Sequence, residues 1–412
     1  MTSRTILIAP DSFKGSLTSV AVARALGDGW LRARPADRVL LSPLADGGEG
    51  TLVAVEAAGG WEWQEVAATD PIDRPVRARW LRSSDGRRAV VELAEASGLS
   101  RLTPAERDPT GASTYGTGEV LRAVIDSGVE QVTLGIGGSA TTDGGFGILE
   151  ALGVRRDPER DGYLHLDRLD ALANVDLRVA CDVSNPLLGD EGAAATYGPQ
   201  KGATPEQVVE LDAHLERYAN QLSAGVGRDE RSTPGAGAAG GVGFALLSIQ
   251  DRFRSFALQP GVDLVMELTD FAGKLVGADL VITGEGRIDA QTAFGKTALG
   301  VAQRAAAAGV PCVAVGGGVE PEGIEALRPL GVTVVPVIEK PQTVEEAMAA
   351  GTAPLERCGE RIARLVGVWQ HAERVAGMDK GQIVIHDDFD EPLPEFDPDY
   401  MHPEDPMRDP LP

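Results

Sequence analysis

The chain has 412 residues, of which 62 are acidic and 38 basic, giving a formal net charge of −24. So negative a surface repels nucleic acid and anionic membranes, which excludes both as general partners. The three cysteines, Cys181, Cys312 and Cys358, are isolated, so neither a disulfide framework nor a zinc cluster is encoded.

The N-terminal MTSRTILIAP runs straight into a short strand pattern, with no signal-peptide core, and no 18-residue apolar run follows. The expected location is the cytoplasm. Short β-branched runs then recur at Thr5–Ala9, Val39–Leu44, Val76–Leu81, Ala89–Leu93, Gln131–Ile136, Arg178–Val183, Asp279–Thr283, Pro311–Val315 and Thr333–Ile338. Amphipathic, alanine-rich helices are predicted between many of them, at Ser19–Leu31, Gly116–Ser127, Pro205–Leu222 and Lys296–Ala308. Strands alternating with helices of this length predict an α/β protein with parallel sheets. Trp61–Leu93 has strand-like runs and almost no helix, which predicts a second, mixed sheet. Gly225–Gly243 reads as a flexible loop or a glycine-lined site. The last 34 residues, Asp379–Pro412, hold 11 acids, two bases and seven prolines. That composition predicts a mostly disordered acidic tail, a docking segment for a protein partner if it has one.

Five glycine-and-acid clusters sit where strand patterns end, the edge at which α/β sheets bind ligands. They are Asp11–Ser16, Asp46–Thr51, Gly137–Gly145, Asp182–Leu187 (with Tyr197–Gly202 shortly after) and the stretch from Gly284 to Lys296. Turn geometry alone accounts for any one of them, since glycine supplies positive φ and close packing. Five together point to one shared polar cleft. The third is the densest, with four glycines, three hydroxyls and Asp143 in nine residues. Ala290–Thr297 nearly matches a phosphate-binding P-loop. However, Gly284–Asp289 separates it from its strand, where a true P-loop follows the strand directly. All five histidines lie outside these clusters, which argues against a histidine-based triad or metal site.

Together the strings APDSFKGS, PLADGGEGT, GIGGSATTDGG, CDVSNPLLG with YGPQKGA, GAGAAGGVG and DLVITGEGRIDAQTAFGK resemble the type 1 glycerate kinases. The resemblance runs in the family's order from Thr5 to about Ala376. It implies two α/β domains, one Rossmann-like with a parallel sheet and a second with a mixed sheet inserted into it, and an active site in the cleft between them. The expected boundaries are 1–60 with 270–376 for the first domain and 61–269 for the insertion, with 377–412 as the tail. The implied activity is ATP-dependent phosphorylation of D-glycerate with Mg²⁺, to 2-phosphoglycerate in preference to 3-phosphoglycerate. The acidic tail departs from the family pattern.

Phosphoryl transfer demands positioning and charge neutralisation, so the basic residues inside the clusters carry most weight. Lys14 and Arg287 are expected at the glycerate carboxylate or the transferred phosphoryl group, with Asp11, Ser12, Gly15, Ser16 and Lys201 completing the substrate site. Gly137, Gly138, Ser139, Ala140, Thr141, Thr142, Gly284 and Lys296 are expected around the ATP phosphates. Asp46, Glu49, Asp143 and Glu285 are the Mg²⁺ candidates. Asp289, then Asp182, is the expected base for the substrate hydroxyl. The competing readings are a kinase for another small hydroxy acid and a non-catalytic regulator that docks a partner through its tail.

Overall fold

The computed structural model describes residues 3–160, 162–294, 297–340 and 343–369. The expected acidic tail at 377–412 lies outside the described residues, as do Gly295 and Lys296. Residues 1–364 form one compact unit.

Thirteen strands occur among the described residues: β1 (Thr5–Pro10), β2 (Arg38–Leu41), β3 (Trp61–Thr69), β4 (Pro75–Ser83), β5 (Arg88–Glu92), β6 (Gln131–Gly135), β7 (Arg155–Arg156), β8 (Leu164–His165), β9 (Asp176–Ala180), β10 (Ser255–Gln259), β11 (Leu280–Ile288), β12 (Cys312–Val319) and β13 (Thr333–Pro336). They form a five-stranded sheet of order β13-β12-β11-β1-β2, a six-stranded sheet of order β10-β9-β6-β5-β4-β3 and a small β7-β8 ribbon. Every pairing in the five-stranded sheet is parallel. In the six-stranded sheet β10, β9, β6 and β5 run parallel, and β4 and β3 are added antiparallel. The fold is therefore α/β with one parallel and one mixed sheet, and the mixed sheet begins at Trp61 as the composition of 61–93 predicts.

β1 is central because it has no polar face to offer. Ile6, Leu7, Ile8 and Ala9 are all fully buried, the continuous apolar run expected of a strand covered on both sides. The helix after it, Ser19–Ala33, starts where the Thr18 hydroxyl accepts a hydrogen bond from the Ala21 N–H at 3.2 Å. Leu81 and Val90 of the mixed sheet share a core with Leu7 and Val281 of the parallel sheet. Val55 and Val265, from the helices Thr51–Ala57 and Gly261–Leu268, belong to the same core.

In the five-stranded sheet the chain leaves β1 towards β2 on one side and leaves β11 towards β12 and β13 on the other. The strand order thus reverses between β1 and β11, and such a reversal opens a crevice beyond the strands' carboxyl ends. Asp11 stands at its mouth, where its N–H donates to the Gly284 carbonyl at 2.8 Å.

Two expectations are corrected. Gly284–Ile288 is strand, not loop: Glu285 pairs with Gly316, Arg287 with Gly318 and Ile288 with Val319. Its glycines serve close packing, since a Cβ on Gly284 would lie 2.4 Å from Val315 Cγ2. In the expected Gly225–Gly243 stretch Gly225 and Gly227 are exposed, but its glycine-rich half, Gly235–Gly243, is neither a flexible loop nor a ligand-lined surface. Its glycines are buried, and a Cβ on Gly240 would lie 2.0 Å from the Thr141 carbonyl oxygen. That segment is packed tightly against the Gly137–Gly145 cluster.

Candidate active site

A cavity of about 720 Å³ opens at the β1–β11 crevice, and Asp11, Lys14, Asp46, Glu285, Arg287 and Asp289 are among its lining residues. These come from the first, second and fifth sequence clusters, so the structure brings those three together.

The Asp11–Ser16 turn is closed by reciprocal bonds between Phe13 and Leu17 at 2.9 and 3.0 Å, with Gly15 at φ +76°. The turn leaves Lys14 exposed at the rim, where its ammonium lies 3.4 Å from Asp46 Oδ2. The Asp46 charge, ahead of Asp11 and Glu285, raises the Lys14 pKa and keeps the ammonium protonated. Asp11 itself is buried. Its Oδ2 accepts from the Thr297 hydroxyl at 2.6 Å and its Oδ1 from the Ser12 N–H at 2.5 Å. Burial, and then the neighbouring Asp46 carboxylate, push the Asp11 carboxyl above the usual range.

On the opposite wall Glu285 is buried and accepts from the Thr292 hydroxyl at 2.8 Å. The exposed Arg287 guanidinium lies 3.4 Å from Asp289 Oδ2 and pairs with Glu320. Asp289 Oδ1 in turn caps the Gln291 N–H at 2.8 Å. Asp182, from the fourth cluster, accepts from the Gly261 N–H at 2.8 Å. The residue is exposed, but partial desolvation of its carboxyl by the surrounding protein raises the pKa to about 6, with Asp46, Asp263 and Asp11 adding to the rise.

Ser12 and Ser16 line the same cavity, and several other expected site residues go elsewhere. Asp143 accepts from the Thr114 N–H and hydroxyl at 2.8 and 2.7 Å and from the N–H groups of Gly145 and Gly147 at 3.0 and 3.2 Å. Its oxygens are occupied in holding its own loop. Lys201 is buried beneath the third cluster, donating to Ser139 Oγ at 2.9 Å and to the Thr141 carbonyl at 2.6 Å. Burial lowers its pKa to about 7. Ala140, Thr141 and Thr142 are buried too, while Gly138 is exposed. Glu49 lines a second cavity of about 230 Å³ with Glu92, Glu95 and Arg101. There burial raises Glu92 to about 7. Lys296 lies outside the described residues.

The second cluster works as a joint. A Cβ on Gly47, at φ +83°, would sit 2.4 Å from Ala180 Cβ, and one on Gly137 would sit 2.6 Å from the Gly48 Cα. The Gly137 N–H also donates to the Gly47 carbonyl at 3.3 Å. These glycines let the loop after β2 touch the ends of β6 and β9 directly, which carries Asp46 into the crevice.

Sequence reasoning missed Thr292, Thr297 and Glu320, which hold Glu285, Asp11 and Arg287. Thr292 lies inside the motif string that ends at Lys296 and Thr297 directly follows it, at a helix start, which was the available signal; no local signal marks Glu320.

Comparison with known proteins adds a second line of observation. The profile of the Glycerate kinase family matches residues 6–367. The chain belongs to this family. A glycerate kinase of Halalkalibacterium halodurans is 44% identical over 380 residues, covering 89% of this chain and 98% of that one. The glycerate 2-kinase of Escherichia coli is 36% identical over 378 residues, covering 88% and 98%. A crystal structure of a "putative glycerate kinase 2" from Salmonella typhimurium LT2 superposes with a TM-score of 0.77 at 39% identity, covering 90% of this chain and all of that one. The chain is thus a kinase, and its β1–β11 crevice is the candidate place for phosphoryl transfer. No helix among the described residues is long and apolar enough to cross a membrane.

Proposed function

We propose that this protein transfers the γ-phosphoryl group of ATP to D-glycerate with Mg²⁺, giving 2-phosphoglycerate in preference to 3-phosphoglycerate. The observation that carries the reading is the convergence of Lys14, Arg287, Asp11, Asp46, Glu285 and Asp289 on one cavity at the strand-order reversal. The names of the relatives supply the acceptor. The preference for the 2-position rests on the Escherichia coli glycerate 2-kinase.

Lys14 and Arg287 meet the glycerate carboxylate and the moving phosphoryl group, both anionic. The acceptor hydroxyl oxygen bonds to the γ-phosphorus as the bond to the β-phosphate oxygen breaks. Its proton passes to a carboxylate, Asp289 first and Asp182 second, and ADP leaves. In this reading Asp289 has the better position because it lines the cavity.

The lining contains more carboxylates than cations: Asp11, Asp46, Glu285, Asp289 and Glu320 against Lys14 and Arg287. An ATP anion entering so acidic a place requires a divalent cation, and relief of the Asp11–Asp46 repulsion points the same way. Among the described residues no three His, Cys, Asp or Glu side chains converge as a ready metal cage. That suits Mg²⁺, which is held by one or two carboxylates with waters and substrate phosphates. Asp46 and Glu285 are the residues to hold it. When bound, it neutralises charge on the phosphates. Glu49 and Asp143 leave the candidate set because their carboxylates are directed elsewhere.

The boundaries 1–60 with 270–376 and 61–269 remain our division of the chain into two lobes. A cytoplasmic location is part of the same proposal, supported by the free thiols of Cys181, Cys312 and Cys358. The test is ADP release with D-glycerate, ATP and Mg²⁺, followed by ³¹P NMR of the product. Coupling to the single C2 proton gives a doublet for 2-phosphoglycerate, and the C3 methylene gives a triplet for 3-phosphoglycerate. No ADP release with D-glycerate sinks the proposal.

A further inference from the structure

The cavity has a second wall that glycerate chemistry does not use. Phe13, Val319, Val337, Ile338, Met348 and Leu355 line it together with the polar groups. They arrive from five places in the chain: the turn after β1, the end of β12, the segment after β13, and the helices Val344–Ala349 and Ala353–Trp369. Phe13, Val337 and Leu355 are buried, Ile338 is half-buried, and Met348 remains 44% exposed. Met348 reaches across to the first cluster, where a Cβ on Gly15 would lie 3.7 Å from its Cε. Gly317 lets the end of β12 lie close to the Phe13 ring: a Cβ there would lie 3.4 Å from that ring and 2.7 Å from the Gly286 carbonyl oxygen.

The sheet order sets Val319, Val337 and Ile338 apart from Asp46, Asp11 and Glu285, whereas Phe13 sits beside Lys14 in the turn after β1. Asp46 follows β2, Asp11 follows β1 and Glu285 lies on β11, whereas Val319 is on β12 and Val337 and Ile338 follow β13. From β1 to β13 is three strand spacings, about 14 Å. A three-carbon acid bearing a carboxylate and two hydroxyls has no apolar surface to bury there, and it needs a small part of 720 Å³. Small-molecule and cofactor pockets measure about 300–1,000 Å³, with mostly apolar walls and a few convergent polar groups.

We propose that the wall formed by Phe13, Val319, Val337, Ile338, Met348 and Leu355 binds the nucleobase of the phosphoryl donor, with the phosphates directed along the strand ends towards Lys14 and Arg287. A planar heteroaromatic ring gains from apolar contact, and these apolar lining residues offer it. The inference rests on the kinase reading of the same cavity.

The test uses Met348→Glu and, separately, Ile338→Asp, each placing a carboxylate where the ring would lie. The KM for ATP is expected to rise about tenfold or more while the KM for D-glycerate stays within about twofold. Titration of N-methylanthraniloyl-ADP without glycerate is expected to show the same loss of nucleotide affinity. Inorganic tripolyphosphate is expected to compete equally well in wild type and variants. Met348 is exposed, so its variant keeps the fold whatever happens at the half-buried Ile338. Unchanged binding of the fluorescent nucleotide in Met348→Glu overturns the inference, as does a rise confined to the KM for glycerate or an equal loss of tripolyphosphate. A wild type that binds the nucleotide in a Met348-dependent way but never phosphorylates glycerate overturns the acceptor reading and leaves the nucleobase site standing. A wild type that phosphorylates glycerate while both variants bind nucleotide normally does the reverse.

Discussion

Lys14 Nζ lies 3.4 Å from Asp46 Oδ2, linking the turn after β1 to the loop after β2. The pair is open to water, so its own contribution to stability is small. In the proposed function its value is positional, because it keeps a cation at the rim of an acidic cavity for an anionic substrate. Lys14→Ala is therefore expected to cost about 10²-fold or more in kcat/KM, with little change in melting temperature. Steady-state ADP release and a thermal scan check both halves. A variant with near-normal kcat/KM removes Lys14 from the catalytic set.

The two base candidates separate by substitution. Asp289→Asn is expected to lower kcat by about 10²-fold or more, the range lost with a general base, and Asp182→Asn by less than about tenfold. The reverse ranking makes Asp182 the base. In that case the acid limb of kcat/KM, rising through about pH 6 where the Asp182 carboxyl ionises, disappears in Asp182→Asn.

Gly47 tests the joint. Its φ of +83° and the 2.4 Å approach of Ala180 Cβ to its would-be Cβ leave no room for a side chain. Gly47→Ala is expected to destabilise the protein by about 2–4 kcal/mol, combining backbone strain with overpacking. Denaturant unfolding measures it. Gly50→Ala is the control: φ is +99° there, but nothing lies within 4 Å, so only the backbone term of about 1–2 kcal/mol remains.

Much of the cavity was legible in the chain because its charged residues directly follow strand patterns, as Asp11 follows ILIAP and Asp46 follows VLLSPLA. The reading failed where tertiary neighbours decide what a polar residue does. Asp143 looks like a metal ligand until Thr114 and the backbone of Gly145 and Gly147 take up its oxygens. Lys201 looks like an anion site until it folds under Ser139 and Thr141. Gly284 and Gly286 imply a loop by type, yet they serve a strand whose neighbours Val315 and Phe13 crowd it. The apolar wall is invisible in sequence because Phe13, Ile338 and Met348 belong to three separate elements.

Lys201 gives a pH prediction independent of the catalytic assignment. Its folded-state pKa is lowered from 10.5 to about 7 by burial. Between those values the unfolded chain holds a proton that the folded chain has lost, so stability rises with pH from about 7 towards 10. Lys201→Met removes this titration. The wild type is therefore expected to gain melting temperature relative to the variant between pH 7 and 9, by about 2–4 °C for each kcal/mol recovered. Parallel curves for the two proteins across that range show that the amine is not buried uncharged.

Asp182 titrates in the opposite sense. Its folded pKa of about 6 lies above the ordinary 3.8, so the folded state binds the proton more tightly than the unfolded chain. Stability from this group is fully present below about pH 4 and falls as pH rises to 6, where the carboxylate forms partly desolvated and, secondarily, near Asp46, Asp263 and Asp11. Asn at this position keeps an oxygen to accept from the Gly261 N–H and carries no charge. Asp182→Asn is therefore expected to match the wild type near pH 4 and to melt higher at pH 7. If the gain in melting temperature is the same at both pH values, shape rather than charge explains it, and the raised Asp182 pKa is refuted. If the gain appears only at pH 7 and kcat stays within tenfold, the carboxylate is costly to the fold and dispensable as a base, which leaves Asp289 to accept the proton.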